Sequence, residues 1–319
     1  FEVNDIEPAK ANAYHLGFVI GPCLNATGRL DTAHRALELL QSKTKAEAMV
    51  AATELKELND SRKNLTLSGV EEAERQIREE KLYEDKVMVI YLPQVHESLA
   101  GIIAGRIREK YHHPVFVLTN GEEGIKGSGR SIEAYHMYES MIQVKEYFSK
   151  FGGHKLAAGL SLQSPDVEAF RKAINEVAVL TEDDFVPVVH IDVPMPMEYA
   201  GFELAKQLQQ LEPFGVGNPK PLFAQKDVVF VGGKRIGAAG NYARFTVRLI
   251  KNGLESREEL MYFGDVEKFC EFLNQKYGHN SAEELFAGRG SYQVSITYQT
   301  GINSYRGREN VQFIMQNYC

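Results

Sequence analysis

Val87-Met88-Val89-Ile90-Tyr91, residues 98–110 and Pro114-Val115-Phe116-Val117-Leu118 decide the fold of the middle of this 319-residue chain. Both short runs are continuously apolar, the pattern of strands buried on two faces. The segment between them reads as a helix, and its Gly101, Ala104 and Gly105 permit close packing. Strand, helix, strand predicts a right-handed crossover. There follow a glycine-rich hairpin signal at 121–131, a helix near 137–148, a glycine motif at 152–159 and a helix over 165–179. One α/β domain over residues 86–182 accommodates them all.

Working outward, residues 44–81 hold no proline and one glycine, with Ala48, Ala51, Ala52, Leu55 and Leu58 at helical spacing. We expect a long helical connector over 43–85, as one helix or two abutting ones. Its eight basic and eleven acidic residues make it a solvated face. Residues 1–42 are compact and mixed, with Asp31 or Thr32 as the cap of a short helix reaching Leu40. After Thr181 the texture changes. Pro187, Pro194, Pro196, Pro213, Pro219 and Pro221 discourage helices, and the alternating runs at 227–231, 243–250, 292–299 and 311–318 predict a small antiparallel barrel or sandwich over 187–319. A helix over 265–276 would be inserted between its strands. The fold class expected is multidomain, α/β plus all-β.

Hydrophobic residues at 44% and charged residues at 25% exclude a disordered tail, a fibre and a disulfide-stapled scaffold. No apolar run approaches the roughly 18–20 residues of a membrane span. Cys23, Cys270 and Cys319 are widely spaced, with no Cys-x-x-Cys, which suits a reducing cytoplasm. Phe1 in place of Met, with no signal peptide, leads us to expect a boundary with sequence upstream of it. The net charge is −7, yet residues 226–251 carry six basic side chains against Asp227. One basic region in an acidic chain is compatible with nucleic acid.

Four stretches carry candidate chemistry. In Gly152-Gly153-His154-Lys155-Leu156-Ala157-Ala158-Gly159, two glycines admit a ligand to the backbone and His154 is a donor to phosphate. A glycine turn with a structural histidine reads the same letters equally well. In Gly124–Ser131, backbone amides, Ser128 and Arg130 suit phosphate oxygens, and a plain β-turn remains the alternative. Asn25 and Arg29 pair an amide and a guanidinium across a short turn, beside the reading of a solvated arginine. In 243–249, Phe245, Val247 and Leu249 would face a core and leave Arg244, Thr246 and Arg248 on the other face. Tyr305 and Arg306 add an aromatic flanked by cations in an expected loop. Such a face can track a single strand, or be an ordinary solvent face. His112-His113 is set aside as a metal pair because neighbours on an extended segment point oppositely. No Asp-x-Asp or Asp-His-His occurs.

Together and in this order, the motifs resemble the C-terminal part of the RecJ family of bacterial single-strand-specific DNA exonucleases, within the DHH phosphoesterases. Ile20–Arg29 resembles the family's Ile-Gly-Pro-Arg-Ile-Asn-Ala-Ala-Gly-Arg. Gly101-Ile102-Ile103-Ala104 matches its Gly-Ile-Val-Ala, residues 127–131 and 152–159 its DHH-associated domain, and 211–219 the lead into its OB-fold. Cys23 stands where the family has its first Arg, Thr27 where it has Ala, and His96-Glu97-Ser98-Leu99 where it has Trp-His-Pro-Gly-Val.

The resemblance implies a tail of the DHH catalytic domain over 1–42, a DHH-associated domain, and an OB-fold barrel that binds nucleic acid. It implies 5′→3′ hydrolysis of single-stranded DNA in repair and recombination, with two Mn²⁺ or Mg²⁺ ions held upstream and none by this chain. It places Asn25, Arg29 and His154 at the scissile phosphate as catalytic residues, Gly152 and Gly153 in the loop that brings His154 there, and Ser128 and Arg130 on backbone phosphates. Arg244, Arg248, Tyr305 and Arg306 come from alternation and charge alone. Single-stranded DNA is the expected partner; a single-strand-binding protein or a helicase is a further candidate, and a membrane is not. A DHH-family oligoribonuclease or nucleotide phosphatase, and a non-enzymatic single-strand-binding module, are the alternatives.

Overall fold

The computed structural model describes residues 1–30, 34–122, 124–163, 165–215, 217–251, 253–305 and 307–319, without the side chains of 28–30, 251 and 305. Two units are separated, Phe1–Val188 and Val189–Cys319.

The first unit begins with single-turn helices and a π-helical stretch, His15–Ile20, that runs into α1 (Gly21–Leu30). Helix α2 (His34–Gln41) follows; the cap expected at Asp31 or Thr32 lies outside the described residues. Helix α3 (Lys45–Glu79) is a single element of 35 residues whose Thr44 side chain accepts from the Glu47 amide at 3.3 Å. It packs on α1 and α2, and its later turns bury Ala73 and Ile77 in the core described next.

That core is built on strands β1 (Met88–Tyr91), β2 (Val115–Gly121), β3 (Gly124–Arg130), β4 (Phe148–His154) and β5 (Ala157–Leu162), in sheet order β1-β2-β3-β5-β4. β1 and β2 are parallel and joined by α4 (Glu97–Tyr111); the other pairs are antiparallel. Alternation sends Met88, Ile90, Val115 and Val117 under α4, with Leu99, Ile103 and Ile107. It sends Val89, Phe116 and Leu118 to the opposite face, against Met137 and Met141 of α5 (Met137–Gln143) and Phe170 and Ile174 of α6 (Val167–Val177). Both faces of β1 and β2 are covered, which is why their sequences are apolar without a break. Helix α5 ends earlier than the expected 137–148, because Phe148 already begins β4.

The second unit holds β6 (Val193–Pro194), α7 (Phe202–Leu208), β7 (Phe223–Ile236), β8 (Tyr242–Lys251), β9 (Leu254–Tyr262), α8 (Val266–Tyr277), α9 (Ser281–Phe286), β10 (Tyr292–Tyr305) and β11 (Arg308–Tyr318). The order β7-β8-β9-β11-β10 closes through β10–β7 pairing, with β9 and β11 parallel. This closed five-stranded barrel has OB-fold connectivity, so the expected fold class is borne out. Its core packs Phe230, Phe245, Tyr262 and Phe269 in edge-to-face and tilted contacts. The sequence reading missed β9 and α9. With three glutamates, Leu254-Glu255-Ser256-Arg257-Glu258-Glu259-Leu260-Met261-Tyr262 is a poor intrinsic strand former; its ladders with β8 and β11 make it one.

Candidate nucleic-acid interface

Strands β3, β5 and β4 bring the glycine-rich segments side by side. Their register sets Arg130, Ala157 and His154 in one row, Ser128, Gly159 and Gly152 in the next, and Lys126, Ser161 and Lys150 in a third. Side chains alternate across a strand, so the three rows share one face. It is the face α4 covers further along, since Arg130 and Ser128 pair with Val115 and Val117 beneath that helix. The start of α4 is thus a wall beside an open shelf. An open depression of about 280 Å³ lies there, lined in part by Ser98, Thr119, Lys126, Ser128 and Gly159. Lys126, Ser161 and Lys150 were not singled out from the sequence, because only the pairing of distant strands puts them in one row, and Ser98 joins them only through the placement of α4.

The floor of the middle row is backbone. Nothing lies within 4 Å of where a Cβ on Gly152 would stand, and Gly127 O is 4.0 Å from that of Gly159. Arg130 donates from Nη1 to the Gly129 carbonyl at 2.8 Å, and a Cβ on Gly101 would approach Nη2 to 2.9 Å. The glycine in α4 therefore makes room for the guanidinium. Lys126 Nζ sits 2.8 Å from a Glu97 carboxylate oxygen at the other end of the shelf.

Two expectations about loops need correction. Residues 124–130 form a strand, paired on both sides over 126–130, so the amides there serve the sheet rather than cradle phosphate. Gly152 and Gly153 are strand residues of β4, and the turn is Lys155-Leu156. Gly153 is required sterically, since its Cβ would fall 2.4 Å from Ala157 O and 2.6 Å from Ala158 Cα. The Ser131 and Met137 amides donate to Leu156 O and Lys155 O, and Lys155 pairs with Glu133 at 3.0 Å, so the turn is clamped. Within it the Leu156 amide donates to His154 Nδ1 at 3.3 Å. That makes Nδ1 the acceptor and leaves the exposed Nε2–H as the ring's donor, suited to an anion.

Asn25 is exposed on α1, and Arg29 follows one turn later in the same helix. The short turn expected there is helical instead, and the Arg29 side chain lies outside the described residues. α1 packs on α3 and touches α4.

On the barrel, Arg244, Thr246 and Arg248 face outward from β8 while Phe245, Val247 and Leu249 are buried, as alternation predicts. The face is less basic than its own strand. β9 brings Glu259 to 3.2 Å from Arg244 and Glu255 to 3.9 Å from Arg248. Arg235 is engaged by Glu267 at 2.7 Å, a bond that raises its pKa further. Tyr305 ends β10 and Arg308 opens β11, so the described residues of the expected loop on either side belong to strands. The Tyr305 side chain and Arg306 lie outside the described residues.

The DHHA1 domain pattern matches residues 84–179 and the RecJ OB domain pattern residues 191–317. The chain is 34% identical over 97% of its length to the single-stranded-DNA-specific exonuclease RecJ of Bacillus subtilis, and 30% over 99% to that of Escherichia coli. The chain belongs to the RecJ family. It corresponds to the C-terminal part of RecJ and spans 37% of the Bacillus protein and 53% of the Escherichia one. Thermus thermophilus RecJ in complex with Mn²⁺ shares the fold, with a TM-score of 0.76 and 25% identity over 97% of this chain and 42% of that one. Among the described residues here, no group of three His, Cys, Asp or Glu side chains is placed to hold a metal ion, so they do not fit a two-metal site. None of the described helices is long and apolar enough to cross a membrane.

Proposed function

We propose that this chain is the strand-holding part of a metal-dependent single-strand-specific DNA exonuclease acting 5′→3′, with the metal ions bound elsewhere in the full-length protein. The observation that carries the reading is the shelf on β3, β5 and β4: three cross-strand rows, cationic at both ends and glycine in the middle. Rows two residues apart repeat about every 6.8 Å, comparable to the phosphate repeat of an extended single strand. A phosphate over the middle row would rest against bare backbone and the Ser128 hydroxyl. Its neighbours would meet Arg130 and His154 Nε2 on one side, Lys126 and Lys150 on the other.

His154 and Arg130 stand nearest the reacting phosphate in this reading, and the family resemblance adds Asn25 and Arg29 from α1. Their donors are preorganised by the clamped turn and by Gly101, and so cost little reorganisation when charge develops on the phosphate. The barrel supplies a second surface, where Arg244, Arg248, Tyr305 and Arg306 contact the strand. In the full-length protein, Arg130→Ala and His154→Ala should each lower turnover on single-stranded DNA by about 10²–10³-fold, the usual cost of one lost transition-state donor. Near-normal turnover in both variants would remove the shelf from the reaction.

A further inference from the structure

Tyr242 and Phe263 meet edge to face, ring centroids 5.4 Å apart and planes at 74°, and remain 37% and 49% exposed. Scattered exposed aromatics are ordinary on protein surfaces. This pair is not scattered. Tyr242 opens β8 and pairs with Ile236 of β7, while Phe263 directly follows Tyr262 at the end of β9. Alternation buries Ala243, Phe245 and Tyr262 and turns both rings outward, onto the face that carries Arg244, Thr246 and Arg248. An edge-to-face contact uses one face of one ring only, so flat aromatic surface is left over.

The neighbouring rows are cationic. Lys234 pairs with Arg244, and Arg248 lies opposite Arg257; Glu259 and Glu255 answer them only in part. Aromatic surface at one end of a net-positive strand face matches one ligand chemistry, an unpaired base on a polyanionic backbone. From Tyr242 to Arg248 the strand advances about 20 Å, enough for several nucleotides.

The geometry points to Tyr242 and Phe263 as a stacking platform for one unpaired nucleobase, with the phosphates continuing past Lys234, Arg244, Arg248 and Arg257. This rests on the reading that the barrel contacts a single strand, and adds where a base is gripped. Neither ring belongs to the barrel core, so their removal leaves that core intact.

The test is fluorescence titration of the full chain with a 20-nucleotide single strand carrying 2-aminopurine, at several salt concentrations. Tyr242→Ala with Phe263→Ala should weaken binding about 5- to 150-fold, the factor for a lost base–aromatic stack, and reduce 2-aminopurine quenching. The slope of log K against log salt should stay unchanged, because no phosphate contact is lost. Tyr242→Phe with Phe263→Tyr should restore affinity and quenching. If the alanine pair binds and quenches like the parent, the platform is wrong while single-strand binding stands. If the parent chain fails to bind the oligonucleotide, the underlying reading falls as well.

Discussion

Adding one carbon to each of two glycines should make the first unit more stable and the enzyme worse. Gly152 and Gly159 face each other across β4 and β5, and neither is held to glycine by its surroundings: a Cβ at Gly152 meets nothing within 4 Å, and one at Gly159 only Gly127 O at 4.0 Å. Glycine in a strand costs roughly 0.5–1 kcal/mol relative to alanine. Gly152→Ala with Gly159→Ala should therefore stabilise by about 1–2 kcal/mol. In a unit of this size each kcal/mol moves Tm by roughly 2–4 °C, so melting should rise by about 2–8 °C. The same two methyl groups would stand on the shelf floor and hold a phosphate off the backbone. Lifting the phosphate off the Ser128 hydroxyl would lose one charge-assisted hydrogen bond, about 1.5–3 kcal/mol, which is roughly 10- to 150-fold in kcat/KM on single-stranded DNA. Gly153→Ala is the opposite control. Its Cβ collides with the backbone of β5, so it should destabilise by about 1–3 kcal/mol. Thermal melting and exonuclease kinetics on the full-length protein separate the cases. A double variant that melts higher and cleaves at the parental rate would show that no phosphate approaches the glycine floor.

On the barrel, Arg244→Ala with Arg248→Ala should flatten the salt dependence of single-strand binding by about 1.4 in log–log slope, if each touches one phosphate. Glu255→Gln with Glu259→Gln should tighten binding, since both carboxylates compete for those guanidinium groups; weaker binding in the glutamine pair would put the strand on another face. The chain by itself should show no Mn²⁺- or Mg²⁺-dependent nuclease activity, measured on a 5′-labelled single strand. Metal-dependent cleavage abolished by His154→Ala would overturn that expectation. His113 stacks on Phe185 at 4.0 Å, and burial lowers its pKa below the ordinary 6.5. The unfolded chain then takes up the proton first as pH falls, so first-unit stability should decline from about pH 6.5 downward. His113→Phe, which preserves the stack, should remove that part of the decline in pH-dependent melting; an unchanged profile would assign it to other groups.

What the sequence discloses about this molecule follows the range over which each determinant acts. Val87–Tyr91 and 114–118 were legible because burial on both faces leaves a continuous apolar run, a signal contained in five residues. The shelf was half legible. Gly152, His154, Ser128 and Arg130 stood out by type, but their grouping depends on a register linking 126–130 to 150–154 through β5, which no local pattern encodes. Loop readings of both segments failed for the same reason. Glycine density signals backbone that must be approached closely, and a sheet with a bare face meets that need as well as a turn. The basic window at 226–251 was incomplete for a different reason. Charge belongs to a surface rather than to a stretch of chain, and Glu255 and Glu259 join that surface only because β8 and the weakly strand-like β9 form a hairpin. The same hairpin sets Phe263 beside Tyr242, twenty-one positions away. The features that would discriminate a single strand from other ligands are thus the ones created by strand pairing, and variants that alter one row without altering the pairing are the means to test them.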